Sequence, residues 1–294
     1  MTFAHLALLI FINACWGFNF IAGKIGTGLF GPLLFSGLRF LVVLLLLLPF
    51  IRPVRGQMTQ ILKIGVVMGV CHYAIMFYAM SIADNISAIA IAAQLAVPIS
   101  TLMAVVFLHE KVGVTRSVAI ALSFAGVVLI GFEPISGDHL LSVAMATLGS
   151  VAIAAASIWM RQLQSVGVFN LQAWIALIAA PSLLVLSVGV EAPDLALLAG
   201  MRWQDYWSPV YSAIGATIIG HGSFYYLLQR YPVNQVSPFI TLSTLFAILF
   251  GVTLMDDVLT PRIIAGGVLT LIGVTIIAKR NAKKDTPTSQ RVPR

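Results

Sequence analysis

The sequence predicts an all-α polytopic membrane protein, with ten transmembrane helices arranged as two inverted five-helix repeats. Three observations carry that prediction. Of 294 residues, 60% are hydrophobic and 9% charged, against about 45–50% and 25% in ordinary globular domains. A span needs about 20 apolar residues, and the chain holds ten such runs with short connections, which leaves no room for a soluble catalytic domain. The second half also repeats the polar and aromatic landmarks of the first. Helices follow rather than strands because backbone polar groups find no water in lipid and alternating barrel strands are absent.

Gly, Pro and charge bound each run. Helix one is expected over 4–22, with Trp16 and Asn19 ahead of Lys24. No basic residue precedes this run and no A-x-A cleavage site follows, so it reads as a retained span. Helix two, 32–51, opens on Pro32, contains Arg39 and stops before Arg52. Helix three, 60–80, carries Gly65, Gly69 and His72, and the Gly65/Gly69 spacing predicts close helix packing. Helix four, 86–107, contains Gln94 and Pro98; the proline removes a backbone donor, which can kink the helix and free a carbonyl. Helix five, 114–131, begins near Arg116 and ends on Gly131. Helices six to ten follow over 140–162, 171–190, 209–229, 234–254 and 261–278. Cys15 and Cys71 fall inside apolar runs without zinc-type spacing and are expected as free, inert thiols.

The charge of +7 could suggest nucleic acid, but the basic residues are thinly spread outside a tail from Lys279 to Arg294, so membrane orientation explains them better. With a cytoplasmic N-terminus, Arg52, Arg55, Lys63, Lys111, Arg116, Arg161, Arg230 and the six basic residues of the tail fall inside, thirteen of the seventeen. Lys24, Arg39, Arg202 and Arg262 make up the rest. Both termini are therefore expected in the cytoplasm. Reporter fusions active only in the cytoplasm should give signal after residue 112 and none after residue 136; the opposite pattern would break the inverted-repeat reading.

The repeat is read from landmarks. Phe77-Tyr78, Leu108-His109-Glu110-Lys111-Val112, Arg116 and a Gly-ended last helix return as Tyr225-Tyr226, Leu254-Met255-Asp256-Asp257-Val258, Arg262 and Gly273. Five helices per copy is an odd number, so the second copy enters the membrane upside down, with Glu110 inside and its counterpart Asp256 outside. Such repeats are a transporter architecture whose substrate site lies near mid-membrane where the copies meet.

Trp16-Gly17-Phe18-Asn19-Phe20, Gly37-Leu38-Arg39-Phe40, Phe107-Leu108-His109-Glu110-Lys111 and the stretch from Tyr225-Tyr226-Leu227-Leu228-Gln229-Arg230-Tyr231 through Val236-Ser237-Pro238-Phe239 resemble the EamA family of the drug/metabolite transporter superfamily, over about residues 4 to 280. The resemblance is strongest to its amino-acid metabolite exporter branch. It implies a first EamA repeat over 4–133, a second, inverted, over 138–280, a basic cytoplasmic tail over 281–294, and multi-pass residence in the bacterial inner membrane. It further implies export of small metabolites, neutral amino acids or cysteine-pathway intermediates, by secondary transport with alternating access. Two positions depart from the family pattern: Thr244 stands where helix nine tends to carry proline, and Asp257 follows Asp256 in place of a basic residue.

Polar side chains inside hydrocarbon are expensive, so each needs a partner or a watery cavity. Trp16 and Asn19, and again Trp159 and Gln162, read either as gates at the two ends of a central path or as helix-helix hydrogen bonds with an interfacial anchor. Arg39 either receives a substrate carboxylate or snorkels outward. His72 and His221, at matched depth in the two copies, read as proton carriers, as substrate donors or as satisfied bundle residues. Tyr73, Phe77, Tyr78, Tyr225 and Tyr226 read as cavity lining or aromatic packing. Gln94, Thr241 and Ser243 are neutral hydrogen bonders near mid-depth. Glu110 and Lys111 read as structural surface residues with Arg116. No carboxylate is expected in the membrane core, which argues against a carboxylate proton relay and disfavours cationic substrates.

Three further readings compete with metabolite export: a multidrug or nucleoside transporter of the same fold, a polytopic enzyme, and a membrane scaffold subunit. The enzyme lacks support because no H-E-x-x-H, nucleophile elbow or paired core acids occur, and no P-loop is present. Neither metal nor cofactor is expected. The expected partners are a small-molecule substrate and the lipid bilayer, without nucleic acid, with proton coupling as an option and the chain as monomer or homodimer.

Overall fold

The computed structural model describes residues 1–109, 112–133 and 138–284. Glu110, Lys111 and the tail beyond residue 284 lie outside them. Among the described residues the chain is a bundle of helices: α1 (Phe3–Phe30), α2 (Pro32–Leu47), α3 (Met58–Ile82), α4 (Ile86–Phe107), α5 (Val114–Gly131), α6 (His139–Met160), α7 (Val168–Val190), α8 (residues 207–228), α9 (Leu242–Leu254) and α10 (Pro261–Lys284). A six-residue helix, Leu195–Gly200, lies between α7 and α8, and a 3-10 turn, Ser237–Thr241, leads into α9. Eight of the rods, α1 to α7 and α10, are long and apolar enough to cross a membrane, rather than the ten expected. The other two differ for local reasons. α8 carries polar residues along its length, Ser208, Ser212, Thr217, His221 and Ser223 among them, which lower its hydropathy, and Phe239–Leu254 is a shorter apolar segment.

Local chemistry sets the ends. Thr2 caps α1 by accepting from the His5 N–H, and Pro32 opens α2 where its missing donor is not needed. α1 outruns its expected end at residue 22 and continues to Phe30. Lys24 is therefore inside the helix, where its Nζ donates to the carbonyls of Ser81 (3.1 Å) and Ala83 (2.5 Å) at the end of α3. An ammonium that satisfies orphan carbonyls and the negative end of a helix does not need a loop.

Two carboxylates do the reverse. Glu191, just past α7, accepts from Leu33 N (2.6 Å) and Leu34 N (2.9 Å) at the start of α2. Asp257 accepts from Ile86 N (3.1 Å), Ser87 N (2.7 Å) and Ser87 Oγ (2.5 Å) at the start of α4. Asp257 is 7% exposed, a buried acid at a helix end rather than in the middle of a span. His109 and Asp256 both adopt left-handed backbone (φ 52° and 55°), so the turns leaving α4 and α9 share their geometry.

Packing follows an exchange pattern. α1 packs on α8 and α9, α6 packs on α3 and α4, α2 packs on α7, and α5 on α10. Gly65 and Gly69 pack α3 against Ile178, Ile175 and Ala179 of α7, as the spacing predicted. The α5–α10 contact is closer still: a Cβ on Gly126 would lie 2.4 Å from Gly266 O and 2.3 Å from Thr270 Oγ1. Hydrogen bonds follow the small residues there, with Thr270 Oγ1 3.4 Å from Ser123 O.

Candidate functional site

α3 and α8 are not α-helical throughout. Gly65–His72 of α3 and Ser212–His221 of α8 are wound as π-helix, a wider ladder that releases carbonyls from ordinary i to i+4 bonding and recurs at functional sites. Small residues make room for the wide turns: Gly65 and Gly69 in one, Ala213, Gly215, Ala216 and Gly220 in the other. Each stretch ends on one of the paired histidines.

A polar network of buried and half-buried residues is built on the α8 stretch. Thr217 Oγ1 donates to Ser212 O (3.1 Å), five residues back. Ala216 O accepts from Trp16 Nε1 (2.9 Å) and lies 3.1 Å from His221 Nδ1, which is also 3.2 Å from Thr217 O. Ser212 Oγ donates to Asn19 Oδ1 at 2.6 Å. Arg39, on α2, donates through Nη2 to Thr217 Oγ1 (2.8 Å) and to the Tyr73 hydroxyl (3.2 Å). The ring of Tyr73 lies under the guanidinium at 4.3 Å, and His72 meets the same ring edge-on at 4.8 Å. Trp16, Asn19, Arg39, Tyr73 and His221 are thus joined by hydrogen bonds around one stretch of α8, with His72 against its border.

Both histidines present Nδ1 to a carbonyl, His72 to Gly149 O at 2.8 Å and His221 to those named above. A carbonyl only accepts, so Nδ1 carries the proton and Nε2 is the basic atom in each. An open apolar groove of about 530 Å³ lies beside the network between α1, α8 and α9, lined by Phe11, Cys15, Phe18, Tyr211, Ile214 and Phe250, of which Phe11 and Ile214 are exposed. The Tyr211 hydroxyl donates to Cys15 O (3.0 Å), tying α8 to α1 at that wall. Cys15 and Cys71 are both free. No group of three or more His, Cys, Asp or Glu set to hold a metal occurs among the described residues.

The remaining sequence candidates lie elsewhere. Gln94 donates to Thr244 Oγ1, a contact between α4 and α9. Pro98 acts as its chemistry requires: without its N–H, Gln94 O accepts instead from Val97 N (3.1 Å), α4 breaks at Gln94–Leu95, and the released Ala93 O accepts from Ser150 Oγ of α6 (3.2 Å). Thr241 ends the turn into α9. Trp159, half-buried, packs against the core near the end of α6, where Gln60 Nε2 reaches its carbonyl (3.2 Å) and Gln162 Oε1 (2.6 Å). Tyr78, 44% exposed, lines a separate cavity of about 390 Å³ with Pro32, Ala74 and Glu191. Tyr225 is 39% exposed on the surface of α8. Sequence reasoning passed over Ser212 and Thr217. Their signal was present: Thr217 is five residues after Ser212 and four before His221, among small residues, a spacing that suits a π ladder.

Comparisons with known proteins agree with this picture. The model of the EamA-like transporter family matches residues 4–132 and again 140–279. A probable amino-acid metabolite efflux pump of Salmonella typhimurium is 27% identical over 92% of this chain and 93% of its own length. A probable amino-acid metabolite efflux pump of Escherichia coli is 25% identical over the same shares, and an uncharacterized transporter of Bacillus subtilis is 23% identical over 90% and 94%. A solved crystal structure with 15% identity superposes over 97% of this chain and 99% of its own with a TM-score of 0.63, a likeness of fold.

Proposed function

Since the chain belongs to the EamA-like transporter family, we propose that it is a secondary transporter that exports neutral amino acids or cysteine-pathway intermediates across the bacterial inner membrane by alternating access. The carrying observation is the pair of π-wound stretches. Each ends on a histidine in the third helix of its half, and one of them organises the polar network of Trp16, Asn19, Arg39 and His221.

Two inverted five-helix repeats, with both termini cytoplasmic, fit several features. The family model matches twice, over 4–132 and 140–279. The packing pattern maps onto itself when α1–α5 are exchanged with α6–α10, since α1 on α8 and α9 becomes α6 on α3 and α4. In this reading the apolar groove beside Cys15 and Tyr211 takes an aliphatic side chain, while the network receives the polar end of the substrate. Gln94, Thr241 and Thr244 complete the path at the α4–α9 contact, Trp159 and Gln162 close its cytoplasmic end, and Tyr78 and Tyr225 join the wall when the bundle opens.

The test is flux in proteoliposomes of the purified chain. A neutral amino acid loaded inside should exchange with the same compound outside. His72→Gln or His221→Gln should lower flux driven by a pH gradient at least about tenfold while leaving exchange largely intact, because Gln keeps a donor for the carbonyl but has no titrating nitrogen. Loss of neither activity would return the histidines to packing roles. Movement of cationic dyes without amino acids would replace metabolite export by a multidrug function.

A further inference from the structure

Arg39 is the charge that the network does not account for. It is 2% exposed, and its two hydrogen-bond partners, Tyr73 and Thr217, are neutral hydroxyls on Nη2. Nε and Nη1 have no hydrogen-bond partner among the described residues, which leaves three of the five guanidinium donors unengaged there. The rings of Tyr73 (4.3 Å) and Phe77 (5.7 Å) soften the field. They carry no countercharge. The carboxylates of Glu191 and Asp257 are committed elsewhere, to the start of α2 and the start of α4. A guanidinium cannot shed its proton, so it cannot escape the desolvation penalty as a lysine would. A residue needed only to tie α2 to α8 could be a neutral donor and avoid that penalty. A buried ionisable group within a span implies a partner, and the partner missing here is an anion.

We propose that Arg39 is the substrate's anion-binding residue, holding a carboxylate through Nε and Nη1 while Thr217 and Tyr73 fix the guanidinium through Nη2. This rests on the export reading and sharpens it: the substrate class is a small metabolite with a free carboxylate, and amides or alcohols of the same skeleton are excluded. The guanidinium is covered in this conformation, so the carboxylate reaches it when α2, α3 and α8 part during the transport cycle.

The experiment compares L-leucine, L-leucinamide and L-leucinol on the full-length protein in detergent, by thermal shift and by exchange in proteoliposomes. The expected result is stabilisation and flux with leucine, and at least about tenfold weaker apparent affinity for the other two, since a charge-assisted hydrogen bond contributes about 1.5–3 kcal/mol. Arg39→Met should bind none of the three, yet its empty form should melt at the wild-type temperature or above, because an uncompensated buried charge has been removed. Arg39→Lys should weaken leucine selectively.

Equal response to leucine and leucinamide would overturn the assignment and leave export standing. Response to none of the three would overturn the amino-acid reading together with it. Stabilisation by inorganic phosphate or sulfate equal to that by leucine would replace the carboxylate by a general anion site. An Arg39→Met protein that melts far below wild type while the wild type does not distinguish the three ligands would make Arg39 structural.

Discussion

Asp257→Ala is expected to lower the stability of the folded protein by about 3 kcal/mol, the largest loss from any single polar substitution described above. The carboxylate satisfies two backbone N–H groups and one hydroxyl at the start of α4. Hydrogen bonds to a charged acceptor contribute about 1.5–3 kcal/mol each, and donors left unsatisfied in a buried place are penalised by about 1–3 kcal/mol. Relief from burying the charge offsets part of that sum. The loss is not local, since Asp257 fastens the α9–α10 turn to α4 and Asn85 Nδ2 donates to Val258 O (3.0 Å) at the same place. Asp257→Asn, which keeps one acceptor, should lose about half as much. Thermal unfolding of both variants in detergent checks the order. An alanine variant as stable as the wild type would mean that the α4 terminus finds other acceptors.

Gly126→Leu should abolish accumulation of folded protein. Even the first carbon of a side chain there would lie 2.4 Å from Gly266 O, 2.3 Å from Thr270 Oγ1 and 2.8 Å from Thr270 N. Two of those three atoms are backbone, which cannot swing aside as a flexible side chain can. α5 and α10 would have to separate along their whole contact, a penalty above the ~1–3 kcal/mol typical of overpacking. Gly28→Ala is the control. Among the described residues nothing lies within 4 Å of its Cβ position, and helix propensity favours alanine by about 1 kcal/mol. Expression and size-exclusion profiles of the two variants should therefore diverge; if Gly126→Leu elutes as wild type does, the α5–α10 approach is looser than described.

Much of this fold was legible because lipid makes composition decisive. Runs of apolar residues bounded by Pro, Gly and charge mark rods at nearly the observed positions, and Gly65 with Gly69 correctly marks a close packing face. What composition could not convey was how a charged side chain is used. Lys24 reads as the end of a span, yet its stem reaches the α3 carbonyls and the helix runs on. Asp257 reads as a departure at a surface turn, yet its neighbours across the chain, Ile86 and Ser87, make it a cap for another helix. Those partners are about 170 residues away, beyond any local pattern. The polar network around α8 was legible in its unusual residues, Trp16, Asn19, Arg39 and His221. The ordinary ones that connect them, Ser212 and Thr217, were not, because a serine or threonine in a small-residue helix is indistinguishable from packing until the winding is known. Tyr78 and Tyr225 illustrate the converse, since a paired aromatic motif fixes sequence position and not facing.

The π-wound stretches have a consequence for chain length itself. A turn closed over five residues stores one residue more than the α turn that could replace it, so Ser212–His221 holds slack that a strictly α-helical span would not have. Each residue of an α-helix subtends about 100°. If one residue's worth of slack is taken up, the segment from Gly222 to Leu228 turns by about that angle against the segment before Ser212, with the helix still continuous. The same holds for Tyr73–Ile82 beyond Gly65–His72. A span built this way tolerates the gain or loss of a single residue better than its neighbours do. Deleting Ile214 should therefore leave folded protein where deleting a residue from the middle of α5 does not.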